Sequence, residues 1–262
     1  MSGISALFSD ISFKLANAAR VACLRAGRAL LPTGTHRTGF FDQYPRFFET
    51  SETTATANRL NERHRAIIEA NRDAFTGARV LDIASHDGRW SFAAMRAGAK
   101  SVTGIEARPH LVAASKENLK EFGDAHRFML GDAYDLLDRI EPGSIDTVMC
   151  LGFFYHVTDH MLLLSKIEQL KARHLIIDTG VAADVRPAVV FQREDHELES
   201  DAARTSDAQK IVLAGIPSKA ALDLMLSSFG WKPRYYDWHS AGIASWQEIE
   251  DYHEGTRVTL RA

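Results

Sequence analysis

The sequence is poor in cysteine: its 262 residues include only Cys23 and Cys150, whose separation matches neither a zinc motif nor a CxxC pair. This usage predicts free thiols and a reducing compartment, so we expect a cytoplasmic protein. The sequence also lacks an apolar run long enough to cross a bilayer, and it has no basic excess because its net charge is -3 at pH 7. These absences argue against a disulfide scaffold, a membrane-spanning protein and a nucleic-acid partner.

Two helices are predicted in the N-terminal region. From Ile4 to Leu31, apolar residues recur at helical spacing with lysine and arginine between them. This basic amphipathic pattern predicts a helix that packs on its own domain or in a homodimer, with contact to a membrane surface as an alternative. It lacks the unbroken apolar stretch of a signal peptide. A second helix is predicted from a cap at Thr50 or Ser51 to Asn71.

Beyond residue 75 the sequence alternates between strand and helix patterns. Strands are predicted at Arg79–Ile83, Ser101–Glu106, His126–Leu130, Ile145–Cys150 and His174–Asp178. Helices are predicted at Trp90–Ala97, Pro109–Phe122, Tyr134–Arg139 and Asp159–Leu170. A further helix, Ser218–Phe229, precedes two predicted strands, Trp231–Trp238 and Arg257–Arg261. Repeated strand–helix units predict an α/β protein with a doubly wound, mostly parallel sheet.

One strand and turn carry most of the functional information. The stretch VLDIASHDGRW, from Val80 to Trp90, runs from a buried strand through a turn of small residues into a helix. The next apolar strand ends in a single acid, Glu106. An open α/β sheet holds an adenosine with such a turn, and the acid at the next strand end binds the ribose hydroxyls.

The turn does not match a dinucleotide site. A pyrophosphate needs three glycines at fixed spacing, whereas Ala84, His86 and Arg89 stand at those positions and only Gly88 remains. A dehydrogenase is therefore the least favoured of the adenosine-binding enzymes.

Two further segments complete the pattern, Gly131-Asp132-Ala133 after the third strand and Leu151-Gly152-Phe153-Phe154-Tyr155-His156 after the fourth. With these residues, the chain from about Phe75 onward resembles the class I S-adenosylmethionine-dependent methyltransferases. The resemblance implies a Rossmann-like, seven-stranded sheet whose last strand runs antiparallel, and S-adenosyl-L-methionine as the cofactor.

The resemblance also implies cofactor contacts at the ends of four strands. The methionine part would contact Asp82, Ala84, Ser85, Gly88 and Trp90, and the ribose would contact Glu106. The adenine would lie against Ala107, Arg108, Asp132 and Ala133. The floor below the sulfonium would be formed by Leu151, Gly152 and Phe153. Tyr44 and Arg46 resemble an N-terminal lid that meets the methionine carboxylate.

The best candidate for a general base is His156, because imidazole removes protons near neutral pH and ligands bind at this edge of the sheet. Tyr155 beside it completes the predicted catalytic pair. The interpretation we favour is O-methylation of a hydroxyl group on a small molecule or saccharide. Alternatives are methylation of a phenol or an acyl carboxylate, a tRNA-modifying enzyme, or a non-catalytic adenosine-binding module. The negative net charge weighs against tRNA.

No metal is assigned, and Mg²⁺ remains a secondary hypothesis. It would need Asp178 at the end of the fifth strand, completed by Glu194 or Asp195.

Four regions follow from these patterns. Residues 1–74 are a helical extension and lid, and residues 75–180 are the S-adenosylmethionine-binding core. Residues 181–215 are polar and only weakly periodic, which predicts an inserted segment that covers the substrate site. Residues 216–262 supply the helix and strands that complete the sheet.

Overall fold

The computed structural model describes residues 37–49, 55–196, 201, 203 and 209–262. The amphipathic helix predicted from Ile4 to Leu31 lies outside these residues, so its predicted roles in a homodimer or at a membrane surface remain predictions. Among the described helices, none has both the length and the apolar character that crossing a bilayer requires.

The described chain is built around a seven-stranded sheet with the order β3-β2-β1-β4-β5-β9-β8. Strands β1 to β5 run parallel, whereas β9 is antiparallel to both β5 and β8. This arrangement confirms the doubly wound, mostly parallel sheet. The strands are Arg79–Ile83 (β1), Ser101–Glu106 (β2), His126–Leu130 (β3), Thr147–Leu151 (β4), His174–Gly180 (β5), Val189–Glu194 (β6), Val212–Pro217 (β7), Arg234–Tyr235 (β8) and Arg257–Arg261 (β9).

Helices follow most of the strands and cover both faces of the sheet. The α-helices are Arg46–Glu49 (α1), Ala57–Ile67 (α2), Arg72–Phe75 (α3), Arg89–Arg96 (α4), Pro109–Leu119 (α5), Ala133–Leu137 (α6), His160–Gln169 (α7), Lys219–Ser228 (α8) and Glu250–His253 (α9). Short 3-10 helices lie at Phe40–Gln43, Glu69–Asn71, Lys120–Ala125 and Phe154–His156.

The central strand β4 shows why the sheet has two hydrophobic cores. All of its residues are buried, and successive side chains point to opposite faces. Met149 and Leu151 pack into one core, while Val148 and Cys150 pack into the other. A strand covered on both faces therefore reads as a continuous apolar run rather than an alternation.

The start of α2 corrects one prediction. The helix begins at Ala57 instead of following a cap at Thr50 or Ser51, both of which lie outside the described residues. The Thr56 hydroxyl caps it by accepting a hydrogen bond from the backbone N–H of Arg59 at 3.4 Å.

The segment at 181–215 is more regular than its sequence predicts. Strands β6 and β7 form a separate antiparallel pair, and β7 continues past residue 215 to Pro217. The weak periodicity arises because Phe191 and Leu213, both apolar, are 62% and 42% exposed. The predicted strand Trp231–Trp238 is also shorter, reduced to β8 at the sheet edge.

Candidate active site

The turn after β1 is held in an unusual backbone conformation. Ala84, His86 and Gly88 all have positive φ angles, of 55°, 53° and 76°. This region costs a residue with a Cβ atom roughly 1–2 kcal/mol, so the turn needs external support. A Cβ on Gly88 would lie 3.0 Å from Leu119 Cδ1 and 3.1 Å from Ser115 Cβ. Glycine at this position therefore lets the turn approach α5 closely.

Glu106 supplies much of that support. Its buried carboxylate accepts a hydrogen bond from the backbone N–H of His86 at 3.0 Å and another from that of Arg108 at 2.9 Å. One side chain thus connects the turn after β1 with the turn after β2. An ionised carboxylate has about four acceptor positions, so two backbone donors leave capacity for ribose hydroxyls.

A buried ion pair stiffens the same turn. Arg89 donates to both oxygens of Asp87, at 2.7 and 2.8 Å, and Asn118 donates to the Asp87 carbonyl at 2.8 Å. Burial alone would raise the pKa of the Asp87 carboxyl, but the Arg89 guanidinium outweighs it and holds that pKa well below its usual range. Asp87 is therefore a charged anchor of the turn.

Asp82, at the end of β1, is almost completely buried and accepts a hydrogen bond from Ser91 Oγ at 2.7 Å. Burial raises the pKa of this carboxyl to about 7, well above the ordinary value of aspartate. The folded protein thus binds the proton of Asp82 more tightly than the unfolded chain does.

This shift predicts a pH-dependent effect of replacing Asp82 with asparagine. As pH rises from about 4 to 7, the wild-type protein loses stability because the buried carboxyl must ionise, and the neutral amide avoids this loss. The stability of the variant relative to the wild type should increase by about 1–3 kcal/mol between pH 5 and pH 8. Urea unfolding of both proteins at the two pH values measures the difference. A constant difference would contradict the raised pKa.

His156 follows β4 and lies against the β6–β7 pair. Its Nδ1 atom is 2.8 Å from both carboxylate oxygens of Glu194 on β6, and each side chain is 10% exposed. An ionised carboxylate can only accept, so Nδ1 carries the proton and Nε2 is left as the basic nitrogen. This arrangement fits a general base whose tautomer is fixed by an acid.

Tyr155 packs between His156 and the end of β5. Its ring centre lies 4.0 Å from the His156 ring, and a Cβ on Gly180 would lie 3.5 Å from its Cγ. The guanidinium carbon of Arg257, on β9, is 5.5 Å from the centre of the same ring. Tyr155 thus connects the candidate base with the antiparallel strand.

Asp178 corrects the magnesium hypothesis. Its fully buried carboxylate accepts hydrogen bonds from Arg63, Arg257, Tyr252 and Thr259, at distances from 2.7 to 3.0 Å. Burial would raise its pKa, but the two guanidiniums hold it well below the usual range. These four donors occupy the Asp178 carboxylate, so it offers no free position to the Mg²⁺ ion of the secondary hypothesis. The described residues contain no group of three side chains that could hold a metal ion.

The segment around β6 and β7 extends over two parts of the site. Glu194 contacts His156 at the end of β4, while the Asp201 carbonyl accepts a hydrogen bond from Arg108 Nη2 at 2.8 Å beyond β2. Asp132, which follows β3, caps α6 by accepting from the Tyr134 backbone N–H at 2.8 Å.

The predicted lid residues pack on the helices α4 and α5 beside the turn. Tyr44 packs on Phe92 with ring centres 4.7 Å apart, and Arg46 Nη2 donates to the Asn118 carbonyl at 3.2 Å and pairs with Glu121. Their predicted contact with a methionine carboxylate remains a prediction.

The remaining predicted contacts lie along the carboxyl edge of the sheet. Ser85, Trp90, Ala133 and Leu151 are buried, Gly152 and Phe153 are partly buried, and Ala107 is exposed.

The comparisons with known proteins agree with this geometry. Residues 80–172, from β1 to the end of α7, match the family model described as a methyltransferase domain. This match marks residues 80–172 as a methyltransferase domain, in agreement with the family that the sequence resembles. The methyltransferase domain thus contains the turn after β1, Glu106, Asp132 and His156.

Two curated relatives match parts of this chain. A ubiquinone biosynthesis O-methyltransferase of Xanthomonas campestris is 35% identical over 95 residues, which are 36% of this chain and 39% of that protein. A tRNA U34 carboxymethyltransferase of Desulforapulum autotrophicum is 32% identical over 123 residues, 47% of this chain and 35% of that protein. The chain thus spans less than half the length of either relative.

Solved structures share the fold of the domain. The N-terminal domain of EvdMO1 with SAH bound has a TM-score of 0.57 at 18% identity, covering 87% of this chain and 98% of that chain. A methyltransferase from Mesorhizobium loti has a TM-score of 0.51 at 15% identity, covering 72% of this chain and 93% of that chain.

The sequence did not reveal three residues at the edge of the methyltransferase site. Arg63, Arg257 and Tyr252 come from α2, β9 and α9, and all three contact Asp178. No local motif connects them. Glu194 was considered as a metal ligand and as part of a segment that could touch the acceptor, but its distance in sequence from His156 concealed the contact between them.

Proposed function

We propose that this protein is an S-adenosylmethionine-dependent methyltransferase that methylates a hydroxyl group on a small molecule or saccharide. The observation that carries the proposal is the contact of His156 Nδ1 with the Glu194 carboxylate, which leaves Nε2 as the basic nitrogen at the carboxyl edge of the sheet. The name of the relative from Xanthomonas campestris, an O-methyltransferase, supports a hydroxyl acceptor.

The residues along the sheet edge fit the cofactor. Glu106 is a buried acceptor suited to ribose hydroxyls, and Gly88 lets the turn that would hold the cofactor pack closely on α5. Asp82 is an acid at the end of β1, beside the expected methionine part. S-adenosylmethionine would supply an electrophilic methyl group on a sulfonium.

The protein's part in the reaction is to position the acceptor and remove its proton. S-adenosylmethionine would supply the methyl group to the acceptor oxygen, and the electron pair of the carbon–sulfur bond would stay on sulfur. His156 Nε2 takes the hydroxyl proton, and Glu194 stabilises the resulting imidazolium. The β6–β7 segment excludes water over the same edge.

Cofactor binding tests this proposal. We expect S-adenosylmethionine to bind with micromolar affinity by calorimetry, with no comparable binding of NAD⁺. Replacing Glu106 with alanine should weaken binding by about tenfold or more, because charge-assisted hydrogen bonds to the ribose are lost. Glu117→Ala, which removes an exposed acid of α5, is the matched control. Preference for NAD⁺, or no binding of either compound, would refute the proposal.

A tRNA substrate is the second candidate, because the match to the tRNA U34 carboxymethyltransferase extends over 47% of this chain. Incubation of the protein with total tRNA and radiolabelled cofactor separates the two. Label in tRNA would favour this candidate, and label only in small hydroxylated compounds would favour the first.

A further inference from the structure

The buried cluster around Asp178 contains more positive than negative charge. Arg63 and Arg257 both bind the single carboxylate of Asp178, at 3.0 and 2.7 Å. The neighbouring ion pair of Arg59 and Asp251, 2.6 Å apart, has no net charge and therefore does not change the net charge of the cluster. Two guanidiniums thus share one carboxylate.

Tyr252 does not supply the missing negative charge. Burial raises the pKa of its phenol to about 12, so the hydroxyl stays neutral and donates to Asp178 at 2.8 Å. Arg63 and Arg257 are only 8% and 9% exposed, so solvent screens them poorly. A buried charge without a counter-charge is costly, and one positive charge remains in this cluster.

One guanidinium nitrogen also has an unused donor. The Nε atom of Arg63 is buried and has no hydrogen-bond partner in the part of the chain that the structure describes. The Arg63 guanidinium carbon lies 4.9 Å from the centre of the Trp90 ring, at the start of α4 just after the turn. The unused donor therefore borders the candidate active site.

Arg257 lies next to the candidate base. A Cβ on Gly152 would be 3.5 Å from Arg257 Nη2, and Tyr155 separates the guanidinium from His156. The excess positive charge thus adjoins the segment that would hold the acceptor hydroxyl.

We propose that the methyl acceptor carries a carboxylate, which binds Arg63 and Arg257 beside Tyr155 while its hydroxyl group faces His156. The inference rests on the proposed function, because the acceptor is defined by the methyl transfer. A single carboxylate matches the single excess charge and can accept two guanidinium hydrogen bonds. The acceptor class is then a hydroxy acid, such as a sugar acid or a hydroxybenzoate.

Matched pairs of probes that differ in charge test this inference. D-glucuronate is compared with D-glucose, and 3-hydroxybenzoate with 3-hydroxybenzamide, by calorimetry on the wild-type protein with and without S-adenosylhomocysteine. In at least one pair, the carboxylate should bind about 10- to 100-fold more tightly than its neutral partner. Equal binding within both pairs would overturn the proposal.

Replacing Arg257 with glutamine should reduce this preference to near one. The variant should fold, because Arg63 and Asp178 then form a balanced pair, and thermal unfolding checks this. Arg186→Gln, which removes an exposed arginine, is the control and should keep the preference.

A comparison of two nucleosides shows whether the guanidinium of Arg257 binds a carboxylate of the acceptor or the carboxylate of the cofactor. S-adenosylhomocysteine has a carboxylate that 5'-methylthioadenosine lacks. If Arg257→Gln weakened only the former and left the acceptor preference unchanged, the guanidinium would serve the cofactor, and the proposal would be overturned. If neither nucleoside bound, the proposed function would fail. A preference for the carboxylate probes measured without nucleoside would still support a carboxylate site at Arg63 and Arg257.

Discussion

Replacing Asp178 with asparagine is expected to lower the free energy of unfolding by about 3–5 kcal/mol, because it leaves the buried guanidiniums of Arg63 and Arg257 without a carboxylate. Asparagine has nearly the same shape, so the loss reports charge rather than a cavity. Because the pKa of Asp178 is lowered, its contribution is present above the ordinary pKa of aspartate and is lost as pH falls below it. Chemical denaturation at pH 7 measures the effect.

Asp184→Asn is the control for this variant. Asp184 pairs with the exposed Arg186, and solvent screens that pair. Its replacement should leave the denaturation midpoint unchanged within error. If Asp178→Asn were no more destabilising than Asp184→Asn, the buried cluster would not be the anchor that the contacts indicate.

Replacing His156 with glutamine is expected to reduce kcat about 10²- to 10⁴-fold, the range typical of losing a positioned general base. The affinity for S-adenosylmethionine should stay within about twofold of the wild-type value, because the proposal assigns His156 to the acceptor hydroxyl and not to the cofactor. Single-turnover methyl transfer to the best acceptor of the screen measures the change. His253→Gln, which removes an exposed histidine of α9, should keep full activity.

Glu194→Gln separates positioning from catalysis. The amide can still contact Nδ1 but cannot stabilise an imidazolium, so we expect a smaller loss of kcat together with a shifted pH profile. A purely structural role for Glu194 would change stability and leave the shape of the pH profile intact. If both His156→Gln and Glu194→Gln retained full activity, the base would have to lie elsewhere.

The sequence predicts the parallel core well because its signals are local. Strands β1, β2 and β3 begin and end where predicted, as does β9. Each is a short stretch that contains apolar residues and is bounded by turn residues, which is a local pattern even in β3, where only Phe128 is buried. The β6–β7 pair was missed because its exposed Phe191 breaks the expected alternation.

Some residues of the candidate site have a local signal in the sequence, and others are brought together from distant parts of the chain. Glu106 and Asp132 could be found because Glu106 ends β2 and Asp132 directly follows β3. In contrast, the partners of Asp178 could not be found, because Arg63 is 115 positions away and Arg257 is 79 positions away. An acid at a strand end suggested a metal ligand, whereas contacts from distant elements made it an ion-pair centre.

The position of β9 between β5 and β8 has a consequence for synthesis on the ribosome. A nascent chain that ends before residue 257 can form β1 to β5 and the turn that Glu106 supports. Of the two described guanidiniums that bind Asp178, it has Arg63 alone, and the edge of β5 that pairs with β9 is open. The nucleotide half of the site can therefore form during translation, whereas the half beside Tyr155 is completed only when β9 enters the sheet.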